Sequence, residues 1–307
     1  MPTQQINQGA PRPRISAVMN TYNAERYLED VLRSLRGFDE IVVVDMHSTD
    51  RTREIAAAHG ARIVDFERCG ICEPARNAAI QAATSPWVLI VDADEVVPGR
   101  LRDYLYEVAA RADAPAALRI PRRNSFMGRE LHSLYPDYVT RFARRDAIDW
   151  PPVIHAQPVV SGDVKSIPTS RRDLAIIHLE ENTINSRMEK ASRYAEKEVE
   201  RRGKRRYSAA AYAVKPLGRF VRSYFLKGGW RDGRPGLVWA LLEAHYKLTT
   251  LLRQHPEGSD DGPSAASFRG LRGRGGSAGG DVEACLLAFV FHVAAAAGAH
   301  VVDYLSK

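Results

Sequence analysis

The sequence is poor in cysteine, and its first residues contain no apolar run. It contains three cysteines in 307 residues, of which Cys69 and Cys72 form a lone C-G-I-C pair and Cys285 lies far away. A structural zinc site needs a second pair of ligands, so the C-G-I-C pair does not predict one. We expect the cysteines to be reduced and the protein to be cytoplasmic. The first residues lack an apolar core, which predicts a disordered tail over residues 1–13 and no secretory signal.

A glycine-rich phosphate loop is also missing. The first apolar run, Ile15 to Met19, is followed by N-T-Y-N-A-E-R, which contains no glycine. Nucleotidyltransferases need a loop of glycine and lysine at this position to hold phosphates. The absence of such a loop argues against that class.

Long uncharged runs are absent except near the C-terminus. Residues 284–302 contain no Asp, Glu, Lys or Arg, which is nearly the length of a bilayer span. Alanine, glycine and histidine make this segment a poor spanning helix, so residues 281–307 are predicted to be an apolar helix that docks on the protein or at a membrane. Residues 257–280, rich in glycine, are predicted to be a flexible linker.

The first hundred residues alternate short apolar runs with helical patterns. Each apolar run has the length of a buried strand, and each is followed by leucines or alanines at helical spacing. The order β-α-β-α-β-α-β predicts an α/β fold with a Rossmann-like, mostly parallel sheet. The predicted strands begin near Ile15, Glu40, Ala61 and Trp87.

The fourth strand runs into three carboxylates, Asp92, Asp94 and Glu95. Parallel strands deliver such residues to the sheet edge where open α/β folds bind ligands. Alternate residues of an extended chain share one side, so Asp92 and Asp94 can share a divalent cation and its bound phosphates. The alternative is a turn with solvated acids, one of which caps the helix that begins near Pro98.

Several motifs together resemble the family-2 inverting glycosyltransferases of GT-A fold. They are I-S-A-V-M-N-T-Y-N from Ile15, E-I-V-V-V-D-M-H-S-T-D from Glu40 and W-V-L-I-V-D-A-D-E from Trp87. The D-A-D-E form, Y-P-D-Y-V-T-R-F-A-R-R from Tyr135 and I-I-H from Ile176 resemble the branch that includes lipopolysaccharide-core glucosyltransferases. The resemblance implies a GT-A catalytic domain over residues 14–180, followed by a helical extension over residues 181–256.

The resemblance also implies a nucleotide-sugar site, with a UDP-sugar as the expected donor. Asp45 is expected to accept the N3 hydrogen of the uracil ring. The other residues that the resemblance places near the nucleotide are Asn20, Thr21 and Tyr22 on the first loop, Arg76 beside phosphate or the acids, and Asp92 near the ribose or a metal-bound water.

A metal ion, Mn²⁺ or Mg²⁺, is expected at the end of the fourth strand. The resemblance makes Asp94 the candidate for the direct ligand. His178, at the predicted end of a later strand, matches a histidine near the metal in related sequences and is either a further ligand or a histidine held by hydrogen bonds. The cation would stabilise the charge that develops on the departing diphosphate.

Inversion requires one base to take the proton of the acceptor hydroxyl. In the family branch a His-Glu pair follows the segment from Tyr135, whereas this chain has V-I-H-A-Q, with Ala156 in place of the glutamate. The candidates are therefore Asp137, His155 and Asp149, with Asp137 preferred because a carboxylate is the commoner choice in the family. A catalytically inactive relative is the alternative that Ala156 raises.

The C-terminal half is basic. Between Arg201 and Arg234 there are 11 Lys and Arg against one acid, Asp232, interleaved with aromatic residues. This composition suits an anionic membrane surface and a cell-envelope glycan or lipid-linked acceptor; a solvated face is the alternative, and nothing resembles a nucleic-acid-binding motif. A polyprenyl phosphate, a natural product or a protein remain alternative acceptors. The helix predicted over residues 181–202 is expected to pack on the catalytic domain.

Overall fold

The structure is a computed structural model that describes residues 12–68, 72–152 and 156–256. Residues 12–255 lie within one compact unit. The predicted linker over residues 257–280, the predicted helix over 281–307, His155 and almost all of the predicted tail lie outside the described residues. In the part of the chain that is described, no helix is long and apolar enough to cross a membrane.

The first half of the chain has the predicted alternation of strands and helices. Its strands pair in parallel in the order β3-β2-β1-β4. Gly60, at φ +72°, follows the second helix in the left-handed conformation that commonly ends helices. The elements are β1 (Ile15–Thr21), α1 (Glu25–Ser34), β2 (Glu40–Asp45), α2 (Thr52–Ala58), β3 (Arg62–Asp65), α3 (Glu73–Ala82) and β4 (Trp87–Ile90).

The second half of the chain extends the same sheet with mixed pairing. Its elements are β5 (Glu95–Val96), α4 (Gly99–Ala109), β6 (Ala117–Phe126), β7 (Arg129–Glu130), β8 (Asp137–Arg144), β9 (Ile148–Asp149), β10 (Val159–Val160), β11 (Val164–Ser166) and β12 (Ile176–Asn182). The order beyond β4 is β8-β6-β12-β5, and β8 runs antiparallel to both of its neighbours. The α/β class is confirmed. Beyond the first four strands, β6 pairs in parallel with β11 and β12 but antiparallel with β7 and β8, and β9 and β10 form a separate two-stranded sheet.

Both faces of the sheet are covered, as β4 illustrates. Trp87 and Leu89 belong to one apolar cluster, whereas Val88 and Ile90 belong to another. Successive side chains of a strand point to opposite faces, so a continuous apolar run fits a strand that is buried on both sides. Helices α1 and α4 pack on the first face and α3 on the second.

Three long helices follow the sheet: α5 (Ile184–Arg202), α6 (Ala209–Val221) and α7 (Gly233–Gln254). The predicted start of the first helix at residue 181 is wrong by three residues, because β12 continues to Asn182 and pairs with Phe126. The hydroxyl of Thr183 then accepts a hydrogen bond from the Ser186 amide at 3.1 Å and caps the helix.

The helical extension is joined to the sheet by a buried carboxylate. Asp232, at the start of α7, accepts hydrogen bonds from the backbone amides of His132 and Ser133 at 2.7 and 2.9 Å. Trp239 of α7 packs edge-on against Phe126 at the end of β6, with ring centroids 5.2 Å apart. These contacts hold the helices against the carboxyl-terminal part of β6.

Candidate active site

Asp45 lies at the carboxyl end of β2, next to the end of β1. Its carboxylate is buried and accepts hydrogen bonds from the hydroxyls of Thr21 and Ser48 at 3.0 and 2.6 Å. The Ser48 amide and the Arg53 guanidinium donate to its other oxygen at 3.0 and 3.1 Å. Burial opposes ionisation, but these donors, Ser48 first, outweigh it and lower the pKa of Asp45. The carboxylate is therefore held ionised at the ligand-binding edge of the sheet.

Asn20, Thr21 and Tyr22 are expected on the first loop, but the structure places the first two within a strand. Asn20 and Thr21 end strand β1, and Thr21 is buried as a donor to Asp45. Tyr22 is the first residue beyond the strand and is 36% exposed, with the Arg68 guanidinium 3.9 Å from its ring centroid. An exposed aromatic residue therefore directly follows Thr21, which is in register with Asp45 of β2.

Asp92 is enclosed by two arginines. Arg76 of α3 contacts one of its oxygens at 2.5 Å, and Arg141 of β8 contacts the other. Burial disfavours the charged carboxylate, yet the charges of Arg141 and Arg76 prevail and lower the pKa of Asp92. Arg76 thus braces an acid, which is one of its two predicted roles. Arg141 is itself buried, so it neither faces solvent nor lies open to a ligand.

The ion pairs continue from Asp92 through the core. Arg141 also contacts Glu95 at 3.0 Å, and the opposite guanidinium, Arg122 of β6, contacts the same Glu95 oxygen at 3.0 Å. Arg122 then donates two hydrogen bonds to Asp137, at 2.7 and 3.0 Å. Three arginines and three acids form one network, in which the buried Glu95 side chain is the central member.

Asp94 lies apart from these arginines and faces a histidine. Its carboxylate is 3.1 Å from Nε2 of His178, whose Nδ1 is 2.9 Å from the side-chain oxygen of Asn124. Asn124 in turn donates to Asp137 at 3.0 Å. The structure therefore brings together the two predicted metal ligands and connects them to the preferred catalytic base. His178 lies within β12 rather than at its end.

The donor atoms at Asp94 and His178 fit a divalent cation that completes its coordination elsewhere. Among the described residues, no group of three or more His, Cys, Asp or Glu side chains is arranged to hold a metal ion. One carboxylate and one imidazole suffice when diphosphate oxygens and water supply the other ligands, which is how Mg²⁺ commonly binds with phosphorylated substrates. Asp92 is engaged by arginines and lies in a different environment.

Asp137 differs from a typical solvated turn residue. The bonds from Arg122 and Asn124 all end on its Oδ2 atom. Burial raises the pKa of Asp137, but the charge of Arg122 and the hydrogen bonds from Arg122 and Asn124 together lower it by more, so the net effect is a lowered pKa. The carboxylate is consequently ionised and oriented by its partners.

Sequence reasoning missed four members of this arrangement: Glu95 as a structural hub, Arg122, Asn124 and the buried role of Arg141. A period-two signal exists in β6, where Arg122 and Asn124 alternate along the strand. Their partner Asp137 is the residue opposite Arg122 in the neighbouring strand. The pairing of β6 with β8 is a tertiary fact, so the strand pattern alone does not assign these contacts.

Comparison with known proteins defines the class. Residues 16–159, just under half of the chain, match the family model described as Glycosyl transferase family 2. The protein is a glycosyltransferase. Relatives that bear this out include the lipopolysaccharide core biosynthesis glycosyltransferase LpsC of Rhizobium meliloti, which is 27% identical over 259 residues covering 78% of this chain and 91% of LpsC.

Two further matches cover different shares of the chain. The glycosyltransferase GlyG of Streptococcus pneumoniae is 31% identical over 113 residues, which are 34% of this chain and 38% of GlyG. Among solved structures, the mannosyltransferase PcManGT from Pyrobaculum calidifontis, in complex with GDP-Man and Mn²⁺, matches with a TM-score of 0.47 and 18% identity. That match covers 78% of this chain and 87% of PcManGT.

Replacement of Arg141 by methionine tests the structural role of the ion-pair network. Arg141→Met leaves Asp92 and Glu95 with fewer partners in a buried site, so we expect a loss of about 3 to 5 kcal/mol in the free energy of unfolding. Arg144→Met, three residues along the same strand but exposed, is the matched control and should lose less than about 1 kcal/mol. Urea denaturation followed by circular dichroism measures both.

The pH dependence of the same two variants gives an internal check. Because the native pKa of Asp92 is lowered, its ionisation stabilises the fold above the ordinary carboxyl value of about 4 and this contribution disappears as the pH falls through the native value. The difference between wild type and Arg141→Met should therefore shrink in acid. Equal stability losses for the two variants at neutral pH would contradict the role assigned to Arg141.

Proposed function

We propose that the protein transfers a sugar, with inversion, from a UDP-sugar to a hydroxyl of a cell-envelope glycan or lipid-linked acceptor in a metal-dependent reaction. The observation that carries the proposal is the contiguity of Asp94, His178, Asn124 and Asp137 through hydrogen bonds of 2.9 to 3.1 Å. This set joins a potential metal position to a potential base on one side of the sheet.

The donor nucleotide is assigned to the edge formed by β1 and β2. The ionised Asp45 carboxylate is suited to accept the N3 hydrogen of uracil, and Tyr22 offers an exposed ring for the base. Asn20 lies at the same edge, in register with Val44 of β2. Thr21 acts indirectly, because its hydroxyl orients Asp45.

The diphosphate is assigned to the neighbourhood of Asp94 and His178, which would hold Mn²⁺ or Mg²⁺. When bound, the cation supplies electrostatic stabilisation of the leaving diphosphate. Asp92, two residues before Asp94 in the chain, forms an ion pair with Arg76 at 2.5 Å. The hydrogen bond from His178 to Asn124 fixes the imidazole orientation, as partners of metal-binding histidines commonly do.

The proton of the acceptor hydroxyl is assigned to Asp137. Arg122 and Asn124 hold its Oδ2 atom, which leaves Oδ1 as the atom placed to accept a proton. A carboxylate with a lowered pKa is a weak base at rest, so the proton is transferred late, as positive charge develops on the sugar. No protein nucleophile is required for inversion.

The acceptor is placed at an anionic membrane surface. The relative LpsC is named for lipopolysaccharide core biosynthesis. In this chain, Val214, Leu226 and Trp230 are 62, 78 and 58% exposed within the basic segment between residues 201 and 234. Exposed apolar residues among cations favour peripheral binding to anionic lipid, because burial of the apolar side chains and attraction of the cations to the headgroups act at the same surface.

Asp94→Asn should abolish turnover while the fold stays intact, because the variant loses the charged metal ligand. Isothermal titration with UDP and with GDP, each with Mn²⁺ and with EDTA, measures the donor site directly. We expect Mn²⁺-dependent binding of UDP in the wild type, and a loss of at least about tenfold in affinity in the variant. Asp146→Asn, an exposed acid distant in sequence, is the control. Normal activity of Asp94→Asn would remove the metal assignment.

Asp137→Asn should lower turnover by about a hundredfold or more, since general-base catalysis contributes that much, and should leave UDP affinity unchanged. Asp149→Asn is the matched control, since Asp149 is the exposed alternative carboxylate in β9. Single-turnover transfer assays measure the sugar-transfer step separately from donor binding. If Asp137→Asn retains full turnover, His155 becomes the leading base.

Membrane association is tested by co-sedimentation with vesicles of neutral phosphatidylcholine or of phosphatidylcholine mixed with phosphatidylglycerol. The double variant Leu226→Ser, Trp230→Ser should bind the anionic vesicles about tenfold more weakly, because two exposed apolar anchors are lost. Leu252→Ser is the control, as Leu252 is similarly exposed but lies outside the basic segment. Unchanged partitioning of the double variant would refute this surface.

A further inference from the structure

A cavity of about 690 Å³ lies between the sheet and the helical extension. On the sheet side it is lined by Asp137 and His178, the preferred base and a predicted metal ligand. On the opposite side it is lined by residues of α5, α6, α7 and the turn that follows α6. The cavity therefore begins where the proposed reaction takes place and extends beneath the helices.

Positive charge dominates the helical side of this cavity. Its lining cations there are Arg187, Lys190, Arg219 and Lys227, and the helices contribute a single lining carboxylate, Glu243. Glu243 is shared, because Arg219 contacts it at 2.7 Å and Arg187 at 3.4 Å. Among the side chains that line this wall, four cations therefore accompany one carboxylate.

The sheet side does not compensate for that charge. Asp137 is the lining carboxylate there, and its Oδ2 atom already receives two hydrogen bonds from Arg122. Arg122 is itself a lining residue. The ion pair between them contributes no net charge to the cavity, so an anionic ligand gains from the helical cations without facing a free excess of acids.

Apolar surface accompanies the cations. Trp239 lines the cavity and is fixed by an edge-on contact with Phe126 and by the Arg187 guanidinium 4.2 Å from its ring centroid. Tyr194 and Leu226 also line the cavity and are 37 and 78% exposed. Aromatic and apolar walls with a few charged groups are typical of small-molecule sites.

We propose that this cavity binds the acceptor and selects a sugar that carries an anionic substituent, a phosphate or a carboxylate. The inference rests on the proposed function, in that Asp137 is taken as the base. The acceptor hydroxyl lies toward Asp137, and the anionic substituent lies toward Arg219 and Lys227. Charge-assisted hydrogen bonds from these side chains provide the selectivity between charged and neutral sugars.

Ligand-observed NMR titration tests this inference with glucose 6-phosphate, glucuronic acid and glucose as probes, each with and without UDP and Mn²⁺. The wild type should bind at least one of the two anionic sugars at least about tenfold more tightly than glucose, since a hydrogen bond to a charged group is worth more than a factor of ten. The phosphate and carboxylate probes show which anion is preferred.

The double variant Arg219→Gln, Lys227→Met should lose that preference, with anionic sugars bound about tenfold more weakly. Glu243 keeps its contact with Arg187 in this variant, so no buried acid is stranded. The matched control, Lys165→Met with Arg193→Gln, removes the same charges from exposed positions that do not line the cavity and should retain the preference.

UDP titration in the presence of Mn²⁺, on the same samples, separates this inference from the proposed function. Unchanged UDP affinity in the cavity variant assigns the cations to the acceptor, whereas a parallel fall in UDP affinity assigns them to the donor diphosphate and overturns the inference. Equal binding of all three sugars, or an equal loss in the control variant, overturns it as well. Failure of the wild type to bind UDP refutes the donor assignment alone, because the sugar titrations are independent of it.

Discussion

The buried contact of Arg141 with Asp92 and Glu95 is the interaction on which the site depends. Three charged groups at the centre of the sheet are tolerable only together, because an isolated ion in a protein interior costs several kcal/mol. Arg76 and Arg122 complete the neutralisation from either side. The geometry of β4, β6 and β8 is thereby coupled to the positions of the acids that follow β4.

This arrangement divides the D-A-D-E segment into two parts. Asp92 and Glu95 are engaged by arginines, whereas Asp94 faces His178 at 3.1 Å. The segment therefore combines a structural anchor with a polar position suited to a ligand. Residues 93 and 94 form a turn that is closed by the hydrogen bond from the Glu95 amide to the Asp92 carbonyl at 3.0 Å, so Asp92 and Asp94 do not share one side as they would in an extended chain.

The helical extension shapes the other side of the site. Asp232 fastens the start of α7 to the backbone of His132 and Ser133, close in the chain to Asp137. Burial opposes the ionisation of Asp232, but the two backbone amides outweigh it and lower its pKa. The helices that carry the basic residues are consequently held over β8, and the cavity between them is a product of this docking.

Local patterns in the sequence determined the four parallel strands and the acids at the ligand-binding edge. They also determined the end of α2 near Gly60 and the start of α4 after Pro98, because these features depend on periodicity and backbone preference. The metal and base assignments at Asp94, His178 and Asp137 came from motif resemblance and stay predictions. The tertiary structure decided the roles of Arg122, Arg141 and Glu95, together with the cationic cavity. Those contacts join strands and helices distant in the chain, and strand pairing and helix docking, rather than any local pattern, decide which charges meet in the interior.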